Sequence, residues 1–282
     1  AIRVRRSSYN DLQDIGCTAG GDLDTVALKT FVSADNGTVE RWYDQSGNGL
    51  DAVQASQGNQ PLVVNAGVIE RTNNTPYLSF AGDRWFSIAM SFDRSIYPAA
   101  TVNLVYQNTS LTGSQALWGC DDGGWDRFQL LSFNAAPGSA YGLSNGGGTT
   151  PNATNNTNRN VYTAIMNNTV ANASYVVLNG ITGSLFTENG SGSTGNMAIG
   201  AIAGSGAYGF IGNISEFVLF TSSLPDPTRQ TLEFNQVNYY SLAAPVITTQ
   251  PSTIGQNLCI NATATALSVS ATGTGPLTYQ WY

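Results

Sequence analysis

The chain has 282 residues, 10 % of them charged, with 18 acidic against 11 basic side chains and a net charge of −7. So few charges, with Lys29 as the sole lysine, exclude a coiled coil, a helical bundle or a charged disordered tail, and the negative balance argues against nucleic acid as a partner. No apolar run nears the roughly 20 residues that cross a bilayer, so no transmembrane segment is expected.

In chain order, Ile2-Arg3-Val4-Arg5 alternates apolar and basic residues and predicts a strand with Arg3, Arg5 and Arg6 towards solvent. Trp42-Tyr43-Asp44-Gln45-Ser46-Gly47-Asn48-Gly49 reads as a strand running into a fixed loop. Asp44, Ser46 and Asn48 can accept main-chain N–H groups, and Gly47 and Gly49 permit positive φ. Residues 77–92 alternate around a Gly82-Asp83 turn, with Asp83-Arg84-Trp85 read as an ordinary hairpin turn carrying a surface ion pair. Residues 101–107 alternate in the same way. Further strands are expected over 117–120, 127–133, 161–166, 175–178 and 197–202, and an exposed loop over 146–160. Asn179-Gly180 marks a two-residue hairpin. The helical signal is confined to 227–241, where Ser222, Ser223 and Asp226 can cap and Leu232, Val237 and Tyr240 can face inward. Short strands without intervening helices predict an all-β fold of two stacked antiparallel sheets. Ala243-Ala244-Pro245 reads as a linker between a domain of residues 1–242 and a second of residues 243–282.

Several segments recur together in one order: Ile2-Arg3-Val4-Arg5-Arg6-Ser7-Ser8, Gln13-Asp14-Ile15-Gly16, Leu23-Asp24-Thr25, the Trp42–Gly49 run, Gln60-Pro61-Leu62-Val63-Val64-Asn65, and Gly212-Asn213-Ile214-Ser215-Glu216-Phe217. That order resembles the concanavalin-A-like jelly-roll domains related to the arabinofuranosidase B catalytic domain and to laminin-G-like domains of large secreted bacterial proteins. The resemblance covers residues 1–242. It implies a two-sheet jelly-roll sandwich with one C-terminal helix, and a further strand upstream of Ile2. Residues 243–282 resemble the first half of an immunoglobulin-like repeat, in which Cys259 would pair with a strand-F cysteine and Trp281 would pack on the bridge. Cys17 and Cys120 are then either a disulfide or two buried thiols.

With no histidine in the chain, Ser-His-Asp and Cys-His catalysis and His-ligated metals are excluded. Carboxylate chemistry remains, and glycosidases need two carboxyls facing one bond. The five glutamates are Glu40, Glu70, Glu188, Glu216 and Glu233. Glu216 is the most suggestive, although the resembled non-enzymatic domains also carry an acid there. The family's adjacent cysteine pair and following acidic nucleophile have no match in Trp118-Gly119-Cys120-Asp121-Asp122-Gly123-Gly124-Trp125, so no catalytic residue carries over. That stretch is the best binding candidate. Asp121, Asp122 and Asp126 offer acceptors, Trp118 and Trp125 flat apolar faces, and Arg127 a planar donor fork, a mixture suited to sugars. Calcium on Asp121, Asp122 and Asp126 is a second reading, and a polar turn with Trp118 in the core is the plainer one.

The expectation is a secreted or cell-surface bacterial adhesin whose lectin-like jelly roll contacts glycans without catalysis. The resemblance implies the large adhesins of gliding Bacteroidetes-type bacteria, with secretion-system components as further partners. The alternatives are a glycoside hydrolase of arabinofuranosidase type and a structural stalk or secretion cargo.

Overall fold

The computed structural model describes residues 1–122, 129–132, 140–141, 143–144, 153–154, 156–188, 192–240, 246–250, 263, 266 and 268–272. The principal elements begin with β1 (Ile2–Arg6), β2 (Leu12–Ile15), α1 (Thr25–Val32), β3 (Gly37–Trp42), β4 (Ala52–Val53) and β5 (Leu62–Asn65). They continue with β6 (Leu78–Ala81), β7 (Phe86–Asp93), β8 (Ala99–Asn108), β9 (Trp118–Gly119), β10 (Arg159–Asn167), β11 (Tyr175–Leu178) and β12 (Ile181–Thr182). The last are β13 (Gly192–Ile199), β14 (Ile211–Phe220), α2 (Asp226–Tyr240), β15 (Val246–Thr249) and β16 (Ser270–Thr272).

Pairing is antiparallel throughout these strands and follows the order β9-β13-β7-β4-β3-β5-β6-β14-β8-β10-β11-β12, with β1 joining β2 to β3. The expected all-β sandwich with a C-terminal helix is present. Its leaves meet in one core. Phe86, Ile88, Met90 and Phe92 alternate inward from β7, Val102, Leu104 and Tyr106 come from β8, and Tyr162, Ala164 and Met166 from β10. Each fully buried side chain of this size contributes about 1.5–3 kcal/mol of transfer free energy. Edge-on aromatic contacts, Phe92 on Trp118 at 6.2 Å and Tyr106 on Phe210 at 6.2 Å, add specific ring geometry to that core.

The predicted solvent face of β1 holds: Arg3 pairs with Asp14 and Arg6 with Asp11, while Ile2 and Val4 are buried. Asn179 and Gly180 take φ of 51° and 79° between β11 and β12, as the hairpin requires. Three expectations need correction. The strands of residues 77–92 exist but do not pair with each other, because β6 bonds β5 and β14 whereas β7 bonds β4 and β13; the Asp83–Arg84 ion pair at 3.9 Å is there. A helix absent from the sequence reading, α1, is capped by Asp24, whose Oδ1 accepts from Val26 and Ala27 N–H at 3.1 and 2.9 Å, and it buries Leu28 and Val32 one turn apart. In α2 the fully buried residues are Arg229, Glu233 and Gln236, while Leu232, Val237 and Tyr240 are only half-buried.

The reason for that polar stripe lies in the sheet beneath it. Asn103 and Thr163 stand side by side on the covered face of β8 and β10. Gln236 donates to Asn103 Oδ1 at 2.5 Å, Thr163 donates to Glu233 Oε1 at 2.6 Å, and Arg229 donates to Glu233 Oε2 at 2.7 Å. Gln236 and Glu233 are bonded across the seam and Arg229 to Glu233 along the helix, and such pairing is the condition for burying these groups at all. No helix among the described residues is long and apolar enough to cross a membrane.

Candidate functional site

Two concavities among the described residues differ in kind. The larger, about 1000 Å³, runs from Trp42, Tyr43 and Asp44 past Asp22, Tyr239 and Tyr240 to Glu216. Its floor is core: Val63, Leu78, Ile88, Met90, Ile199 and Ile214. It follows residues 215–220 of β14, beyond the point where pairing with β6 ends at Ile214 opposite Leu78.

The polar groups at its rim are already engaged. Asp44 accepts from Ser46 N–H at 2.7 Å, Ser46 Oγ at 2.9 Å and Leu50 N–H at 3.1 Å, and Gly47 and Gly49 take the positive φ the turn needs, 86° and 72°. These bonds hold the Asp44 carboxyl below its usual range. The expected locally specified loop is present, and Asp44 serves as its hub. Tyr239 donates to Asp22, and burial together with that bond raises its phenol to about 12. Glu216 lies half-buried beside Gln236 and Tyr240, and burial raises its carboxyl despite their hydrogen bonds. This cleft offers satisfied polar groups over an apolar floor, a poor match for a polyol.

The smaller groove, about 460 Å³, is lined by Asp121, Asp122, Gly195, Asn196, Ile202 and residues 203–208 short of Gly206. It forms because β9 pairs with β13, Trp118 opposite Ile199 and Gly119 opposite Ala198. Continuing that register carries Asp121 to the level of Asn196. The β7–β13 ladder is irregular at the same place, between Ile88 and Ser91, whose partner is Asn196; such bulges re-aim side chains. Asn196 and Asp122 are exposed and Asp121 half-buried.

The opposite wall, residues 202–208, is pinned. Asp121 N–H donates to Ile202 O at 3.0 Å, Ile202 N–H to Ala207 O at 2.9 Å, and Ala116 N–H to Tyr208 O at 2.8 Å. Trp85 Nε1–H donates to Gly204 O at 3.1 Å. Gly206 sits on the Trp85 ring at φ 81°, where an added Cβ would lie 2.5 Å from the indole. The wall ends on Tyr208, a bulky residue at φ 53° with 43 % of its surface exposed.

Of the expected binding residues, Asp121 and Asp122 reach this groove; Trp125, Asp126 and Arg127 lie outside the described residues. Trp118 is corrected. At 0 % exposure it packs edge-on against Phe92 in the core and presents no face to a ligand, because its position on β9 points it between the leaves. Among the described residues no three acidic or cysteine side chains gather as a metal site, and the third expected calcium ligand, Asp126, is not described. Cys17 is exposed and Cys120 buried in the core, and no disulfide joins them. Cys259 and Trp281 are outside the described residues. Tyr208, Asn196 and Ser205 were missed by sequence reading.

No family model matches the chain, and no curated protein matches its sequence. Solved structures do match in shape. An arabinofuranosidase complexed with arabinofuranosyl-alpha-1,2-xylobiose superposes with a TM-score of 0.62 at 17 % identity over 84 % of this chain and 58 % of that one. A GH54 α-L-arabinofuranosidase soaked with a cyclic sulfate inhibitor gives 0.62 at 16 % identity over the same shares. A Trypanosoma rangeli sialidase in complex with sialic acid gives 0.50 at 16 % identity, over 70 % of this chain and 31 % of that one. What is shared is the fold. This chain spans little more than half the length of the arabinofuranosidases it matches.

Proposed function

We propose that the chain is a lectin-like, non-catalytic domain of a secreted or cell-surface bacterial adhesin, and that the groove between Asp121, Asp122, Asn196 and Tyr208 is its glycan site. The observation that carries this reading is Tyr208. A left-handed conformation costs an L-residue roughly 1–2 kcal/mol; such strain persists where the surroundings impose it and gathers at functional sites, and Tyr208 is the one aromatic among the described residues that adopts it. Here a pinned loop spends that energy to hold an aromatic ring beside carboxylate, amide and hydroxyl groups, the mixture by which sugars are bound. The arabinofuranosyl-xylobiose and sialic acid bound in two structures that share the fold lend support.

A glycosidase reading would use Glu216 and Asp44, which line the larger cleft and whose carboxyls are shifted in opposite directions, as an acid and a base would be. Against it, the Asp44 oxygens are taken by its own loop. Release of arabinose or another sugar from a polysaccharide, abolished in Glu216→Gln or Asp44→Asn, would establish the hydrolase. The antiparallel pairing of β15 with β16 is consistent with an immunoglobulin-like repeat over 243–282, which we propose as a spacer.

The test is a glycan array with and without calcium. Tyr208→Ala and Asn196→Ala should each weaken any hit at least tenfold without changing the melting temperature by more than a few degrees. A folded chain that binds no glycan would leave the stalk reading in place.

A further inference from the structure

We propose that the open edge of β14 in the larger cleft docks one extended strand of a partner polypeptide, apolar at every second position with Lys or Arg between. The inference is independent of the glycan groove. Residues 215–220 pair with β8 on one side, whereas pairing with β6 on the other ends at Ile214, and among the described residues no strand or loop takes up the backbone groups left over. The open stretch is six residues long, about 20 Å of strand. Ser215-Glu216-Phe217-Val218-Leu219-Phe220 has no Pro, no Lys and a single charge, and an edge of that composition is an aggregation site unless something covers it. Strand addition is the mode of recognition that such an edge offers, with backbone bonds for affinity and alternate side chains for specificity.

The two faces of the added strand meet different surroundings. Phe217 and Leu219 pack against the core, so the side chains that face the same way would lie over the apolar floor of Val63, Leu78 and Met90. Glu216 and Val218 turn towards α2, whose Gln236 bonds the Asn103 opposite Val218, so the alternate side chains would stand beside Glu216, where an opposite charge is favoured. Asp22 and Asp44 also line the cleft, and no Lys or Arg does. Both bond neutral groups, Asp22 the Tyr239 hydroxyl and Asp44 the Ser46 and Leu50 N–H groups, so their charge is open to a cation. Trp42, Tyr43 and Leu50 wall the same cleft, which suits a single segment and shuts out the sheet edge of a second copy.

The experiment titrates the whole chain with labelled peptides of about eight residues in which Val alternates with Lys, with Thr or with Glu, and follows hydrogen exchange of the 215–220 amides. The Val–Lys peptide should bind at least tenfold tighter than the Val–Glu one and slow exchange at 215–220. That margin should narrow as salt is added and in Glu216→Gln. N-methylation of alternate residues should abolish binding in one phase and spare it in the other, because successive N–H groups of a strand point to opposite edges. If Glu216→Gln fails to fold, the salt dependence and the methylation series of the wild-type chain test the same claim. Failure of every peptide on folded protein, equal affinity for Val–Glu, or indifference to the phase of methylation overturns the proposal. So does a concentration-dependent dimer protected at 215–220, which would make a second copy the occupant. Protection there without peptide, in a longer chain carrying the strand expected upstream of Ile2, overturns it too.

Discussion

The ion pair between Arg94 and Glu188 gives the sharpest test of how this sandwich is held together. Arg94 Nε lies 2.7 Å from Glu188 Oε1, and both side chains are 0 % exposed. Arg94 also donates to the carbonyls of Tyr97 and Pro98 in the β7–β8 connection, and Ser174 donates to Glu188 Oε2 at 3.3 Å. At this separation the attraction is about 6 kcal/mol for an effective dielectric of 20, against a desolvation cost of several kcal/mol for each ion. The pair's net worth is therefore small, and breaking it by one side only is not. Glu188→Gln leaves a guanidinium uncompensated in the core and should cost about 3–5 kcal/mol, lowering the melting temperature by roughly 10 °C in a domain of this size. The double replacement Arg94→Met/Glu188→Met removes both charges, so it should recover part of that loss despite losing the carbonyl bonds. Urea unfolding of the three proteins, followed by tryptophan fluorescence, measures the coupling. A Glu188→Gln variant within 1 kcal/mol of wild type would refute the claim that the pair is dry.

Two carboxyls should respond oppositely to pH. The guanidinium of Arg3, aided by the Tyr43 hydroxyl, holds Asp14 at about 2, so its stabilisation is complete above the unfolded value near 3.9 and is lost as pH falls through about 2; carbon-detected NMR should show Arg3→Gln moving that midpoint upward. Glu216 is raised by burial, so the folded chain binds the proton more tightly, and stability falls as pH rises from the unfolded value near 4.3 through the folded one. Glu216→Gln should flatten that slope and stabilise the chain at pH 7, as read by urea midpoints across pH 4–7; an unchanged slope would remove Glu216 from the account. Gly206→Ala would place a Cβ 2.5 Å from the Trp85 ring, so it should shift Trp85 fluorescence and weaken glycan binding as much as Tyr208→Ala does.

What was legible in the sequence was what local chemistry decides. The Asp44 loop and the Asn179-Gly180 hairpin follow from side chains bonding their own backbone and from residues that tolerate positive φ, and both formed where expected. The alternation of β7 marked its buried face for the same reason. Helix α1 was hidden by its β-branched residues, Thr25, Val26, Thr30 and Val32, which favour strands; the Asp24 cap and the Leu28–Val32 spacing were the signals that could have revealed it. The inward face of α2 was misread because a polar stripe is buried only when a matching polar surface waits for it, and Asn103 and Thr163 lie over 60 residues away in the chain. The binding reading of Trp118 failed likewise, while the plainer one that put it in the core held; that position is set by a pairing with Ile199 some eighty residues later.

Tyr208 shows why the proposed binding site is less legible than the fold that carries it. Nothing in Gly204-Ser205-Gly206-Ala207-Tyr208 announces an aromatic in the left-handed region; the sequence alone would place a glycine there. The conformation comes from outside, through the Ala116 bond to its carbonyl and the seating of Gly206 on Trp85. The glycine is spent where the backbone must touch an indole, and the strain falls on the neighbour that points outward. A loop fixed in this way has already lost the freedom that binding would otherwise remove, so its few contacts retain more of their energy as affinity. If Gly206→Ala freed the loop and left glycan affinity unchanged, preorganisation would play no part and the ring alone would account for binding.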